Sequence, residues 1–297
     1  MSSIIEELSC PEHEEADTKI VYHACKINDA ANIVIRTVDT DIAAIMLGHM
    51  HHLNDGLHVW MLIGTGNNLR YVDLTKIHEQ LGESICKSLP GLHAITGCDY
   101  NPAFFRRAKS KPFKILKNYV EFQEALMYFG HSEIMEDNNK QHEIFNVIQS
   151  LLCYLYNVGN LNDVDAARLQ IFIDSYTVSD VNEAFNNKKL RNFDASCLPP
   201  CKSELFQQFL RANYICSIWN NAHLKIPTAY EPVNYGWILE KNQYYFKWFE
   251  GDQLPNYVSE SLQQMSETNE GDIDNDQCED WSTEDENGNI DDNDENY

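Results

Sequence analysis

The chain has 297 residues, 43% of them hydrophobic, and a formal net charge of −24 at pH 7. This length suggests one large domain or two small ones, and the hydrophobic content is sufficient for a packed core. The first ten residues lack the basic start and apolar run of a secretory signal peptide, and no stretch approaches the roughly 18 apolar residues of a membrane span. Nine cysteines without a framework spacing indicate free thiols, so we expect an intracellular protein, nuclear or cytoplasmic, that is not bound to a membrane.

The predicted elements of the N-terminal part alternate between helix and strand. Their strands are nearly continuous apolar runs, which is typical of a parallel, Rossmann-like sheet in an α/β fold. The elements are a helix at 16–30, a strand at Asn32–Thr37, a helix at Asp41–His51, a strand at Leu57–Ile63 closed by a turn at Gly64–Gly66, a short strand at 70–74, a helix at 75–88 and a candidate strand at His93–Thr96.

Helical periods dominate after about residue 101. They cover residues 113–118, 120–129, 142–156, 166–176 and 203–222, and an aromatic-rich segment follows at 230–249. We therefore expect an α/β domain at 1–118 and a helical extension at 119–265.

The C-terminal segment, residues 266–297, contains 14 Asp or Glu and no Lys or Arg. This composition predicts a disordered acidic tail. Such a tail can bind a protein partner, or compete with DNA for basic residues of the same chain. In the second case, deleting Ser266–Tyr297 would raise the affinity for DNA.

Carboxylates crowd the ends of the predicted strands. Asp39 and Asp41 follow the first strand, and Asp99 follows the candidate strand at 93–96. Ligands of α/β sheets bind beyond the carboxyl ends of the strands, so we expect these acids to converge. Glu15 and Asp17 lie at the start of the preceding helix. Because side chains two positions apart on a helix diverge, these two can share the site only if the helix begins there.

Converging carboxylates repel one another. At about 5 Å and an effective dielectric constant near 20, each pair costs roughly 3 kcal/mol, so protons or divalent cations must be present. Hard oxygen ligands without His or Cys suit Mg²⁺ or Mn²⁺. Two such ions about 4 Å apart can support phosphodiester hydrolysis. The alternative is structural, because an acid at a strand-to-helix junction is commonly a helix cap.

Three segments carry a family resemblance: EADTKI, RTVDTDIAAI and TGCDYNPAF. In this order they resemble the second half of the flap-endonuclease and excision-repair (XPG-type) nuclease domain, a branch of the PIN-like fold, over about residues 14–116. With the string RANYICSIWNNA, the chain also resembles a large group of animal proteins associated with mobile elements, over about residues 14–249.

The resemblance implies Mg²⁺-dependent hydrolysis of branched or flap DNA. It assigns Glu15 and Asp17 to the paired helix acids, Asp39 and Asp41 to the D-x-D metal ligands, and Asp99 to the acid of the G-C-D-Y motif. The family's preceding strand, which ends in a metal-binding Asp, and its basic helical arch have no counterpart in the 14 residues before Glu15, so the sheet is N-terminally incomplete. The chain is therefore a fragment, a domain completed from elsewhere, or a catalytically dead module that binds nucleic acid or protein.

A basic stretch without acids spans residues 101–118. The resemblance places there a hairpin that grips the duplex backbone, where basic side chains neutralise phosphates. The family's hairpin glycines are missing, and the alternative is a solvated loop that pairs with the protein's own acids. The basic residues are Arg106, Arg107, Lys109, Lys111, Lys114 and Lys117.

Several weaker signals have other interpretations. Asp39 could be the nucleophile of a haloacid-dehalogenase-like phosphatase, in which case it alone would form a phosphoenzyme and Glu15 would be dispensable. The histidines at 49, 51 and 52 could bind metal, although a solvated helix end is favoured. Cys197, Cys201, Cys216 and His223 fit no common zinc spacing. Residues 272–284 resemble a calcium loop, but disordered acid is favoured.

Overall fold

The protein is described here from a computed structural model, which covers residues 9–13, 15–176, 194–227 and 230–251. These residues lie in the first of two compact units, residues 1–251. The second unit, residues 252–297, lies outside them, and so does the predicted acidic tail. The described chain is mixed α/β and mostly helical, as its class was predicted to be. None of its helices is both long and apolar enough to cross a membrane.

The larger sheet has three strands in the order β1 (Ala31–Arg36), β2 (Leu57–Ile63) and β3 (Arg70–Asp73). β1 and β2 are parallel, but β3 runs antiparallel to β2. The predicted parallel sheet is therefore correct only for the first pair. A parallel crossover needs about a dozen residues, and the connection at 64–69 is too short for one. It begins at Gly64, whose φ of 91° suits a tight turn.

Four helices of this part pack against one another, and α3 also contacts β2: α1 (Ala16–Cys25), α2 (Asp41–His49), α3 (Leu74–Leu81) and α4 (Glu83–Thr96). The single helix predicted at 75–88 is two helices, because Gly82 has a φ of 82° and separates them. The candidate strand at His93–Thr96 is wrong, since these residues form the last turn of α4. All residues from Pro90 to Thr96 are buried, so packing on both faces keeps this β-like sequence helical.

The remaining helices form one continuous hydrophobic core with the α/β part. Gly91 of α4 allows a close approach of the two parts, because a Cβ there would lie 2.5 Å from the carbonyl oxygen of Leu126. A two-stranded hairpin closes the described chain, within the predicted aromatic-rich segment. The bounds are α5 Ser110–Asn118, α6 Val120–Met127, α7 Ser132–Glu136, α8 Asn138–Leu155, α9 Val164–Tyr176, α10 Lys202–Trp219, β4 Trp237–Glu240 and β5 Gln243–Phe246.

A buried arginine connects three parts of the fold. Arg211 of α10 is 0% exposed. Its Nε donates to Oδ1 of Asn101 at 2.9 Å, and its Nη1 donates to the carbonyls of Lys247 at 2.8 Å and Gly236 at 3.1 Å. The guanidinium also lies over the ring of Phe246, 4.9 Å from its centroid. These bonds tie the loop after α4 and the β4–β5 hairpin to α10.

Candidate functional site

The paired acids lie at the very start of α1. Glu15 is the N-cap residue and Asp17 is in the first turn. The helix therefore begins at the site, which is the condition under which acids two positions apart can share it. Acidic groups in a first helical turn are also stabilised by the helix dipole.

The D-x-D acids lie where β1 turns into α2. Asp39 donates its backbone N–H to Oγ1 of Thr37 at 2.9 Å, and its Oδ1 accepts the backbone N–H of Asp41 at 2.9 Å. Asp39 thus has the structural role that was the alternative for an acid at this junction.

Asp99 reaches the same region through a tight turn after α4 and not from the end of a strand. Gly97 has a φ of 122°, and a Cβ there would lie 2.8 Å from the Cα of Ala103. Cys98 and Asn101 then exchange two backbone hydrogen bonds of 3.0 and 3.1 Å. This narrow turn presents Asp99 as an exposed side chain.

The other four acids all lie near enough to Asp17 to act on its charge. Burial, Asp39, Glu15, Asp41 and Asp99 together raise the pKa of Asp17 from its ordinary 3.8 to about 6. The charges that act on Asp17 come from three different segments of the chain. We call Glu15, Asp17, Asp39, Asp41 and Asp99 the acidic centre.

Two basic side chains enter the acidic centre beside Asp41. Nε2 of His93 lies 2.6 Å from Oδ1 of Asp41, and Nζ of Lys109 lies 2.8 Å from Nδ1 of His93. Burial raises the pKa of Asp41, but the hydrogen bond and charge of His93 and the charge of Lys109 outweigh it and lower that pKa. Sequence reasoning missed His93 and assigned Lys109 to DNA.

Glu15 is held by two aromatic residues that sequence reasoning also missed. Nε1 of Trp219, the last residue of α10, donates to Oε2 of Glu15 at 3.3 Å. Tyr100 donates its hydroxyl to Glu15, and burial together with this bond raises the pKa of Tyr100. Trp219 is far from Glu15 in the sequence, so no local pattern could have predicted this contact.

The donor set of the acidic centre fits a hard divalent cation. It consists of carboxylate oxygens, the ligands that Mg²⁺ and Mn²⁺ prefer. Within the described ranges, however, the three-residue group with all donor atoms within 4.8 Å of one another is His49, His52 and His223, not a set of carboxylates. Bringing several carboxylates onto one ion would therefore require side-chain rotation.

The basic stretch divides into engaged and exposed residues. The guanidinium of Arg107 lies over the ring of Tyr156, 4.4 Å from its centroid. Nζ of Lys111 donates to the Leu155 carbonyl at 2.5 Å and to Oδ1 of Asn157 at 2.7 Å. Both side chains thus secure the loop and α5 to the end of α8.

Arg106, Lys114 and Lys117 are exposed. Arg106 lies over the exposed ring of Phe105, 4.8 Å from its centroid. The residues from 97 to 109 form an irregular loop between α4 and α5, so a regular hairpin is absent from this part of the described chain.

Among the weaker sequence signals, the interpretation of the histidine cluster differs most between sequence and structure. His49 is 2% exposed, so its prediction as a solvated helix end is wrong, whereas His51 and His52 are exposed. His223 joins His49 and not Cys197, Cys201 and Cys216, and all eight cysteines of the described segments are free thiols. The calcium-like segment at 272–284 lies outside the described residues.

Comparisons of the chain with protein-family models, with curated proteins and with solved structures found no match. The nuclease resemblance therefore stays a prediction from three motifs. What the site can do must be argued from its own residues.

Proposed function

We propose that the acidic centre binds divalent cations, Mg²⁺ or Mn²⁺, and that the protein hydrolyses phosphodiester bonds of branched or flap DNA. The observation that carries this proposal is the raised pKa of Asp17, about 6, caused by burial and four neighbouring carboxylates. Gathering five acids costs repulsion free energy, which bound divalent cations would relieve. Strongly perturbed acids in one cluster are typical of functional sites.

The contacts of the individual residues indicate different roles. Asp17, Asp39 and Asp99 would hold the ions, with Glu15 positioned by Trp219 and Tyr100. A bound divalent cation supplies charge neutralisation and an activated water. His93 and Lys109 keep Asp41 ionised and fixed in orientation at neutral pH.

DNA would contact the surface next to this centre. Arg106 and Lys114 are exposed on the loop and helix that follow Asp99. Phosphate contacts of this kind position a duplex without reading its sequence. We expect weak binding with a shallow salt dependence, because few phosphates would be neutralised.

A second candidate is a DNA- or protein-binding module without catalysis. The pairing of Asp41 with His93, behind which lies the ammonium of Lys109, favours it. This internal counter-charge partly relieves the repulsion without any metal ion. A D-x-D acid that serves this pair is less available to a cation.

Cleavage of a labelled 5′-flap DNA by the purified chain in Mg²⁺ and in Mn²⁺ tests the proposal. The double variant Asp39→Asn/Asp41→Asn should abolish cutting. Asp29→Asn is the matched control, because Asp29 is an exposed acid at the opposite end of β1, and it should cut as the wild type does. If the wild type binds flap DNA but never cuts it, the binding module is correct and the nuclease proposal is wrong.

A further inference from the structure

Three histidines meet at the far end of α2 from the acidic centre. His49 is the last residue of α2, His52 closes the 3₁₀ turn Met50–His52, and His223 lies in the turn after α10. Their ligand atoms all lie within 4.8 Å of one another. They line a cavity of 610 Å³.

His49 is prepared as a ligand by its own hydrogen bond. The ring is 2% exposed, and its Nε2 lies 2.8 Å from the carbonyl oxygen of Trp219. A carbonyl only accepts, so Nε2 carries the proton and Nδ1 keeps a lone pair. That Nδ1 is buried and has no hydrogen-bond partner. A buried acceptor that is left unsatisfied destabilises the fold, and a metal-binding histidine typically donates its other N–H to a backbone carbonyl in this way.

His52 and His223 complete the arrangement. Their rings are 3.9 Å apart and nearly parallel, at 15°. Nδ1 of His223 is also buried without a hydrogen-bond partner. A buried imidazole nitrogen without a hydrogen-bond partner keeps a lone pair that it can offer to a metal ion.

We propose that His49, His52 and His223 bind one transition-metal ion of the Zn²⁺ class, with a fourth position that opens into the cavity. Imidazole nitrogens suit Zn²⁺, Cu²⁺ and Ni²⁺, whereas Mg²⁺ requires oxygen ligands. Three protein ligands and an open position characterise reactive zinc sites, whereas structural sites have four protein ligands.

The three histidine nitrogens need to move only slightly closer together to bind one ion. Ligand nitrogens of a tetrahedral zinc site lie about 3.3 Å apart, given Zn–N distances of about 2.0–2.1 Å. His52 is exposed and His223 half-buried, so these two rings can move while His49 stays fixed. Lys87 also lines the cavity, and its ammonium, paired with Glu83 at 2.6 Å, favours an anion or water as the fourth ligand.

Zinc titration of the chelator-treated full chain by calorimetry tests this site. The wild type should bind one Zn²⁺ saturably, and Co²⁺ should give the visible absorption of tetrahedral coordination. His52→Ala and His223→Ala should each weaken Zn²⁺ binding by about 100-fold. Losing a direct ligand should cost at least as much as losing an outer-shell partner, which typically lowers metal affinity by about 10–100-fold. His51→Ala is the matched control, because His51 neighbours His52 on the same exposed turn, and it should change affinity less than threefold.

Three outcomes would overturn the site. The first is the absence of saturable binding by the wild type, and the second is an equal affinity of His52→Ala and His51→Ala, which would mean binding elsewhere on the surface. The third concerns the acidic centre. Asp39→Asn/Asp41→Asn should bind Zn²⁺ as the wild type does. If this variant alone loses Zn²⁺, the ion belongs to the acidic centre and the histidine site is refuted, whatever the cleavage assay gives.

Discussion

Replacing Asp17 by Asn should make the protein more stable at neutral pH. The folded chain holds this side chain among four other carboxylates, and its pKa is raised from 3.8 to about 6. Well below pH 3.8 the carboxyl is protonated in both the folded and the unfolded state, so the surrounding acids do not lower the free energy of unfolding. As the pH rises to about 6, the unfolded chain gives up its proton while the folded chain retains it, and stability falls until the full cost is reached above that pH.

The magnitude follows from the shift. A change from 3.8 to about 6 corresponds to about 3 kcal/mol at about 1.36 kcal/mol for each pKa unit. Asp17 is only half-buried, so solvent screening reduces this value, and Asn also loses about 0.3–1 kcal/mol of interaction with the α1 dipole. We therefore expect Asp17→Asn to raise the free energy of unfolding by about 1–2 kcal/mol at pH 7.5.

Urea denaturation in the presence of EDTA measures this gain at pH 7.5 and again at pH 4. The gain should disappear at pH 4, where wild-type Asp17 is largely protonated in the folded state. Asp29→Asn, which removes an exposed acid remote from the acidic centre, should change stability by less than about 0.5 kcal/mol. An equal gain at both pH values, or a loss of stability at pH 7.5, would refute the electrostatic reasoning about the acidic centre.

Three further substitutions test other contacts by the same denaturation assay. Arg211→Met leaves buried acceptors unsatisfied and should cost about 2–4 kcal/mol; a change under 0.5 kcal/mol would contradict it. His93→Gln removes the partner that lowers the pKa of Asp41, so we expect a loss of about 1–2 kcal/mol at pH 7. This loss should shrink as the pH falls through the lowered pKa of Asp41 and its carboxylate is protonated, and a loss that is constant with pH would count against it. Gly91→Ala forces a methyl group against the carbonyl of Leu126 and should cost about 1–3 kcal/mol; unchanged stability would show that α6 can move away.

The strands of the fold were largely predictable from local sequence. β2 has the predicted bounds, Leu57–Ile63, because an uninterrupted apolar run ends at a glycine turn. The direction of β3 was missed although the short connection before it decides the question. His93–Thr96 was mistaken for a strand because its β-branched residues precede a glycine. Only tertiary burial of the whole segment from Pro90 to Thr96 keeps it in α4.

The acids of the candidate site were also visible in the sequence, but their partners were not. Asp39 and Asp99 stand beside recognisable turns, so their approach could be anticipated. His93 lies on the buried side of a helix and carries no motif. Trp219 and His223 come from the opposite end of the chain, and the contacts of Trp219 with Glu15 and His49 are set by how α10 packs. Long-range packing of this kind leaves no local signal.

The buried guanidinium of Arg211 also has a consequence for how the chain unfolds. Its acceptors come from Asn101, Gly236 and Lys247, so one cation depends on segments spread over about half of the sequence. If the hairpin detached first, a charge would be left in an apolar interior with two of its acceptors gone, a state far less stable than either the folded or the fully unfolded chain. Partial opening is thereby suppressed, and residues up to about 250 should melt in a single transition.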